Sequence, residues 1–341
     1  MSGNEVNVVT GSDMEKFRRL EAVFDTNFRL TRLYSEYLTR YPELIDDKMI
    51  KSLTEDGDIT PLEAVRAILC EAFALDYDNK SDRRLIREYL YPSIRLLDAK
   101  RYTENKYYKN IKIENVKEEN WELKQLAYEP WRAVIAEDMI IKDDFCEIAP
   151  LGFFPEKFSY PAVLEDGNEW MTLTPVDLDT SEEAIEKSHG RVVTFGLGLG
   201  YYAYMASEKD EVSSVTVVEK SPKVIKLFKR YVLPQFKNKD KITIVEADAL
   251  EYAKEVMPSE SFDFAFVDIW RDASDGSPIY KAFKPLEALS PSTEFVYWIE
   301  NFLISRLRAL EFIKICDEIE SGDENAPKTF DEVVERLKKP F

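Results

Sequence analysis

Four short apolar runs in the second half of the sequence each end in residues able to hold a polar ligand. The first, Val192-Val-Thr-Phe195, is followed by glycines at alternate positions, Gly196, Gly198 and Gly200. Strand, glycine turn, helix is a pattern that lets a backbone approach a nucleotide-like ligand closely. The second run, Val215 to Glu219, closes on a carboxylate 19 residues after Gly200, able to accept both hydroxyls of a ribose. The third, Ile242 to Asp248, ends in a carboxylate suited to an adenine amino group, and Ala247 and Ala249 leave room for the ring. The fourth, Phe262 to Asp268, places an acid where a reacting group would sit. It runs into the loop Asp268-Ile-Trp-Arg-Asp-Ala-Ser-Asp-Gly276, which packs Asp268, Asp272 and Asp275 around Trp270 and Arg271. Such a loop can bind a cationic amine or accept a proton from a nucleophile, and Trp270 can stack on a substrate or attract a cation.

These positions need a scaffold that brings strand ends together. Strands are expected at Val192–Phe195, Ser214–Val218, Ile242–Val245, Phe264–Asp268 and Thr293–Trp298. Helices are expected between them at about 200–208, 222–231, 249–256 and 277–288, and after them at about 301–320 and 330–338. Alternation with short connections predicts a parallel sheet covered by helices on both faces, with the ligand at the carboxyl ends of the strands.

The preceding residues have a different texture. Apolar residues at three- and four-residue steps, such as Phe17, Leu20, Phe24 and Phe28, predict a long helix from Ser12 that Pro42 ends. Ser12 is a candidate cap, and residues before it carry no helical pattern. Shorter helices are expected at 44–53, from Thr60-Pro61 to about Leu75, and at 81–97. Asn105 to Ile113 partly alternates and reads as a strand. The charge run Glu114 to Glu122 reads as a solvated face. Residues 131–171 hold short apolar pieces broken by Gly, Pro and Asp, as small antiparallel strands do, with Asp166-Gly167 a hairpin turn. Asp179-Thr-Ser-Glu182 is expected to open a helix leading into the glycine strand. The chain thus divides into a helical domain (1–130), a small β-rich region (131–175) and the sheet domain (176–341).

Composition sets limits. With 341 residues, 45% hydrophobic and 33% charged, the chain is long and apolar enough for two cores. A formal net charge of −19 repels phosphate backbones, which disfavours bulk nucleic acid as a partner. Cys70, Cys146 and Cys316 are scattered and read as free thiols; with one histidine, His189, they offer no zinc site. His189 reads as a turn residue. The N-terminus shows no basic segment followed by an apolar core, and no apolar run reaches the roughly 18 residues that span a bilayer, so a cytoplasmic protein is expected.

The motifs Thr194-Phe-Gly-Leu-Gly-Leu-Gly200, Val217-Val-Glu219, Glu246-Ala-Asp248 and Phe262-Asp-Phe-Ala-Phe-Val-Asp268 give residues 190–300 a family likeness. This part resembles class I S-adenosylmethionine-dependent methyltransferases, uncharacterised bacterial members with an Asp-x-Trp-x-Asp loop above all, and its core is similar to spermidine synthases. The resemblance implies an α/β, Rossmann-like sheet and S-adenosyl-L-methionine as cofactor. It implies that Gly196, Gly198 and Gly200 line the methionine part, that Glu219 holds the ribose and Asp248 the adenine, and that Asp268 lies near the transferred methyl. Phe195, Tyr201, Lys220 and Ala249 beside these positions complete the expected cofactor wall. Asp268, Trp270 and Asp272 are the expected catalytic set. Thr172, Thr174, Asp177 and Asp275 are expected on the substrate side. Two features depart from the family. Thr194 stands where many members carry an acid that binds the methionine amino group, and the sequence after Trp298 is helical, so further strands of the sheet would come from residues 131–172. The function expected is methyl transfer to an unidentified small molecule or protein. Aminopropyl transfer of the spermidine-synthase type and non-catalytic cofactor binding are the alternatives, and homo-oligomerisation is open.

Overall fold

A computed structural model describes residues 12–340, with Ser12 described in its backbone alone. The stretch inspected for a leader, and the Ser12 cap, lie outside the described residues and side chains. The centre of the molecule is a five-stranded, wholly parallel sheet: β1 (Gly190–Phe195), β2 (Val212–Glu219), β3 (Ile242–Glu246), β4 (Phe264–Val267) and β5 (Glu294–Tyr297), in the order β3-β2-β1-β4-β5. The fold is an α/β Rossmann-like sheet with a helical N-terminal region and a small β region. All four residues of β4, and Val192, Val193 and Phe195 of β1, are buried, as helices on both faces of a parallel sheet require. Each strand starts and stops within two residues of its expected bounds.

The sheet borrows no strand from the preceding region. Residues 116–172 instead build an antiparallel sheet in the order Val116–Glu118, Trp121–Tyr128, Phe158–Glu165, Asn168–Thr172. Its last two strands form a hairpin around Asp166-Gly167, both at positive φ (52° and 80°) as a type I′ turn demands. The expected solvated run is therefore partly strand. Trp121 and Leu123 point inward and are buried, and between them Glu122 faces outward to pair with Lys117 at 2.6 Å. The expected strand at Asn105–Ile113 is a short helix, Lys106–Asn110. Asn105 caps it by accepting from Tyr107 N, and the Tyr107 hydroxyl donates to Leu199 O in the glycine turn at 2.6 Å. Local alternation lost here to a tertiary anchor.

The helix entering β1 starts earlier than expected. It spans Pro175–Lys187, with Thr174 as N-cap in a capping box with Asp177. Asp179 does not cap it; its carboxylate accepts from Arg101 and from the Tyr102 hydroxyl. His189 follows in an exposed turn.

A second core lies outside the sheet. Helix Ser12–Arg40 and helix Pro61–Ala72, which starts in a Thr60–Glu63 capping box, share it with residues 131–153 and with the last helices, Glu300–Ser321 and Phe330–Lys338. Phe24 stacks on Phe312 with centroids 3.9 Å apart. Arg308, 7% exposed, donates from Nη1 to Glu147 Oε1 at 3.1 Å and from Nε to Leu337 O. Removing one partner of a buried pair strands the other charge. Arg308→Met should therefore cost about 3–5 kcal/mol in urea unfolding, and adding Glu147→Gln should recover part of that loss.

Candidate functional site

Between β1 and β4 the strand order reverses, since β2 and β3 lie on one side and β4 and β5 on the other. A cavity of about 480 Å³ opens there, at the carboxyl ends of the strands. The turn after β1 forms its floor. Gly196 (φ 96°) lies so close to β4 that a Cβ would stand 1.9 Å from the Asp268 carbonyl oxygen. Gly198 (φ 49°) lies under Met171, whose sulfur a Cβ would meet at the same distance. Backbone blocks a side chain at Gly196, and the positive φ of both glycines disfavours one, so the turn presents its main chain to the cavity beside Leu197.

Glu219, at the end of β2, is 6% exposed. Its Oε2 accepts from Leu197 N at 3.1 Å and its Oε1 from Ser221 N at 2.7 Å. Both oxygens are thereby fixed in direction, each with a lone pair left for a ligand. Lys220 beside it also lines the cavity. Asp248, after β3, caps helix Ala249–Glu255 through Oδ1, which accepts from Leu250 N and Glu251 N. No described residue bonds its Oδ2, and Ala247, Ala249 and Leu250 add an apolar surface at the same end of the cavity.

Asp268 and Asp177 define the other end. No hydrogen bond or ion pair reaches the Asp268 carboxyl among the described residues. Burial, and then the nearby charges of Asp177 and Glu219, push it well above the usual carboxylate range. Asp177 Oδ2 accepts from both Thr174 N and Thr174 Oγ1, each at 2.7 Å. Burial nevertheless raises it to about 6. The whole wall carries six carboxylates (Glu169, Asp177, Glu219, Asp248, Asp268, Asp275) and two bases (Lys220, Arg271).

Several expected residues stand elsewhere. Phe195 is fully buried, edge-on to Phe283 at 5.0 Å, because its side chain projects from the sheet into the core. Gly200 packs against the Phe228 ring, and Tyr201 bonds Asn105 beneath the turn. Thr174 is buried as a helix cap. Asp272 is outside the wall as well. It caps helix Ala273–Phe283, its Oδ1 accepting from Ser274 N and Ser274 Oγ, which holds it below the usual aspartate range. Asp275 lines the cavity, but it accepts from the backbones of Arg271 and Asp272 and from Arg271 Nε. Trp270 is in the wall, 6% exposed, stacked parallel to Tyr297 and pressed on Gly276. Thr172 lines the cavity beside Met171. Met171, Ile279 and Trp298 are wall residues that the sequence reading missed. Trp298 follows β5 directly and was open to the same strand-end rule; nothing in the sequence marks the other two.

No protein-family model and no curated protein matches the sequence. Among solved structures, the chain is similar to a spermidine synthase from Thermotoga maritima (18% identity, 45% of this chain and 56% of that one, TM-score 0.31). It is similar to a precorrin-8W decarboxylase from Methanobacterium thermoautotrophicum (20% identity, 33% and 56%, TM-score 0.26). A spermidine synthase in complex with the transition-state analogue AdoDATO also matches (18% identity, 45% and 55%, TM-score 0.30). The chain spans about half the length of these proteins. No helix among the described residues is long and apolar enough to cross a membrane.

Two measurements check this geometry. Gly196→Ala meets backbone at a positive φ and should cost roughly 2–4 kcal/mol in chemical denaturation. The second concerns pH. The Asp177 carboxyl titrates at about 6 in the fold, against an ordinary value of 3.8, so the folded state holds its proton more tightly than the unfolded chain does. Its contribution to stability is then full below about pH 4 and is lost as pH rises to about 6. Asp177→Asn should flatten that part of the stability–pH curve.

Proposed function

We propose that this chain is an S-adenosylmethionine-dependent methyltransferase. The observation that carries the reading is one cavity at the topological switch point, walled by a glycine turn and by carboxylates from three further strand ends. The residues suit this cofactor. Glu219 presents two fixed acceptors for a ribose diol, and Asp248 Oδ2 an acceptor for an adenine amino group beside Ala247, Ala249 and Leu250. The bare turn at Gly196 and Gly198 lets the amino-acid part lie against backbone. A dinucleotide fits worse, because six carboxylates and two bases would face its pyrophosphate.

When bound, the cofactor supplies a methyl carbon already activated by a positive sulfur. The protein then has to position the acceptor and take its proton. Asp268 is the group for that proton, a carboxyl at the end of β4 without a partner among the described residues, with an affinity for protons raised by its surroundings. Trp270, Trp298 and Ile279 close this end with apolar surface and keep water away from it.

A second reading has one observation in its favour. The excess of carboxylates over bases in the cavity wall suits a cationic acceptor, as aminopropyl transfer to a diamine would require. Assays with S-adenosylmethionine against its decarboxylated form plus putrescine separate the two, and methyl transfer is the expected outcome.

Calorimetry with S-adenosylmethionine and S-adenosylhomocysteine tests the cofactor. Both should bind, NAD should not, and Asp248→Ala should weaken binding by about 1–3 kcal/mol. Absence of binding by either sulfur nucleoside would overturn the reading.

A further inference from the structure

We propose that Asp177 receives the α-ammonium group of the cofactor's amino-acid part, the task for which Thr194 lacks an acid. This rests on the cofactor reading above. Thr194 is 2% exposed, sits within β1 between Val217 and Phe266, and is not part of the cavity wall. An ammonium group enclosed in this cavity needs a carboxylate partner. Glu219 already accepts from two backbone amides at the ribose end, and Asp248 lies at the end of β3. Asp275 is occupied by Arg271 and Asp272, and Glu169 is exposed at the hairpin. Asp177 and Asp268 remain.

The path of the chain separates these two. Met171 covers Gly198, Thr172 lines the cavity next to it, and the segment then turns through Thr174 into the helix that carries Asp177. The piece of chain that roofs the glycine turn therefore delivers Asp177 to the same cavity end. The two Thr174 donors hold Oδ2 and so fix the orientation of the carboxylate before any ligand arrives. Asp268 has no such anchor. Among the described residues no lysine, arginine or histidine bonds either acid, and the charge of Asp177 raises the cost of charging Asp268. A ligand cation at Asp177 relieves that cost and leaves Asp268 free for the acceptor.

The test pairs a residue with a ligand group. S-adenosylhomocysteine and its deamino analogue, S-(3-carboxypropyl)-5′-thioadenosine, are titrated calorimetrically into the full chain and into Asp177→Asn. The asparagine keeps the volume and can still accept from Thr174, and thermal melting confirms that the variant is folded. The native chain should prefer S-adenosylhomocysteine by about tenfold to a hundredfold, as a charge-assisted hydrogen bond implies, and Asp177→Asn should lose nearly all of that preference. Affinity for 5′-methylthioadenosine, which lacks the whole amino-acid part, should stay unchanged. If Asp177→Asn keeps the preference while Asp268→Asn loses it, the ammonium site is Asp268 and the proposal fails. An equal loss for all three ligands would mean that Asp177 only supports the helix, which also overturns it. Should the native chain bind none of the three, the cofactor reading itself falls.

Discussion

The contact between Gly196 and the Asp268 carbonyl is the constraint on which the site depends. It joins the ends of the two strands that flank the switch point, and it leaves no space for a side chain. Gly196 N bonds Val218 O, and Asp268 N bonds Phe195 O, so the sheet ladder extends one step past the strands on both sides. The turn is in this way clamped by backbone before any ligand is considered. Glu219 adds a third tie by reaching Leu197 N from β2. A floor held by main-chain bonds is independent of rotamers, which gives the rigidity that close approach to a ligand needs.

The cavity above this rigid floor is strongly acidic. Carboxyls from the helix before β1 and from the ends of β2, β3 and β4 converge on one cavity, and the two bases in its wall are peripheral. Lys220 is exposed, and Arg271 is tied to Asp275. Acids clustered in one cavity raise the cost of charging one another, a cost that a cation would lower. The molecule as a whole carries a net charge of −19, so its long-range field favours the same sign of ligand.

Much of the sheet was legible because its physics is local. Continuous β-branched and aromatic runs marked buried strands, glycines marked the turn, and acids marked strand ends. The polar wall residues Glu219, Lys220, Asp248 and Asp268 follow from strand-end position alone. The failures share a cause. Phe195, Gly200 and Tyr201 neighbour the right positions, but side-chain direction along a strand or first helical turn decides between core and cavity, and spacing does not report it. Asp272 and Asp275 have the composition of a reactive loop, yet the helix that follows needs a cap and uses them. Asn105–Ile113 alternated like a strand until Tyr107 found a partner 92 residues away in the glycine turn. Met171 was invisible because only the folded hairpin lays it over Gly198.

The second core has a consequence for how the molecule is made. Phe24 stacks on Phe312, and Glu147 meets an arginine 161 residues further along the chain. The apolar stripe of the first helix is covered in part by residues near it in sequence, those of helix Pro61–Ala72 among them, and in part by Phe312 and Ile315 far along the chain. The parallel sheet between them is itself assembled from non-local pairs and forms slowly. Until those distant residues dock, part of the stripe stays uncovered, the kind of surface that chaperones retain and proteases cut. Final closure of the helical core is then a long-range event, and kinetic vulnerability concentrates in helix Ser12–Arg40 rather than in the parallel sheet.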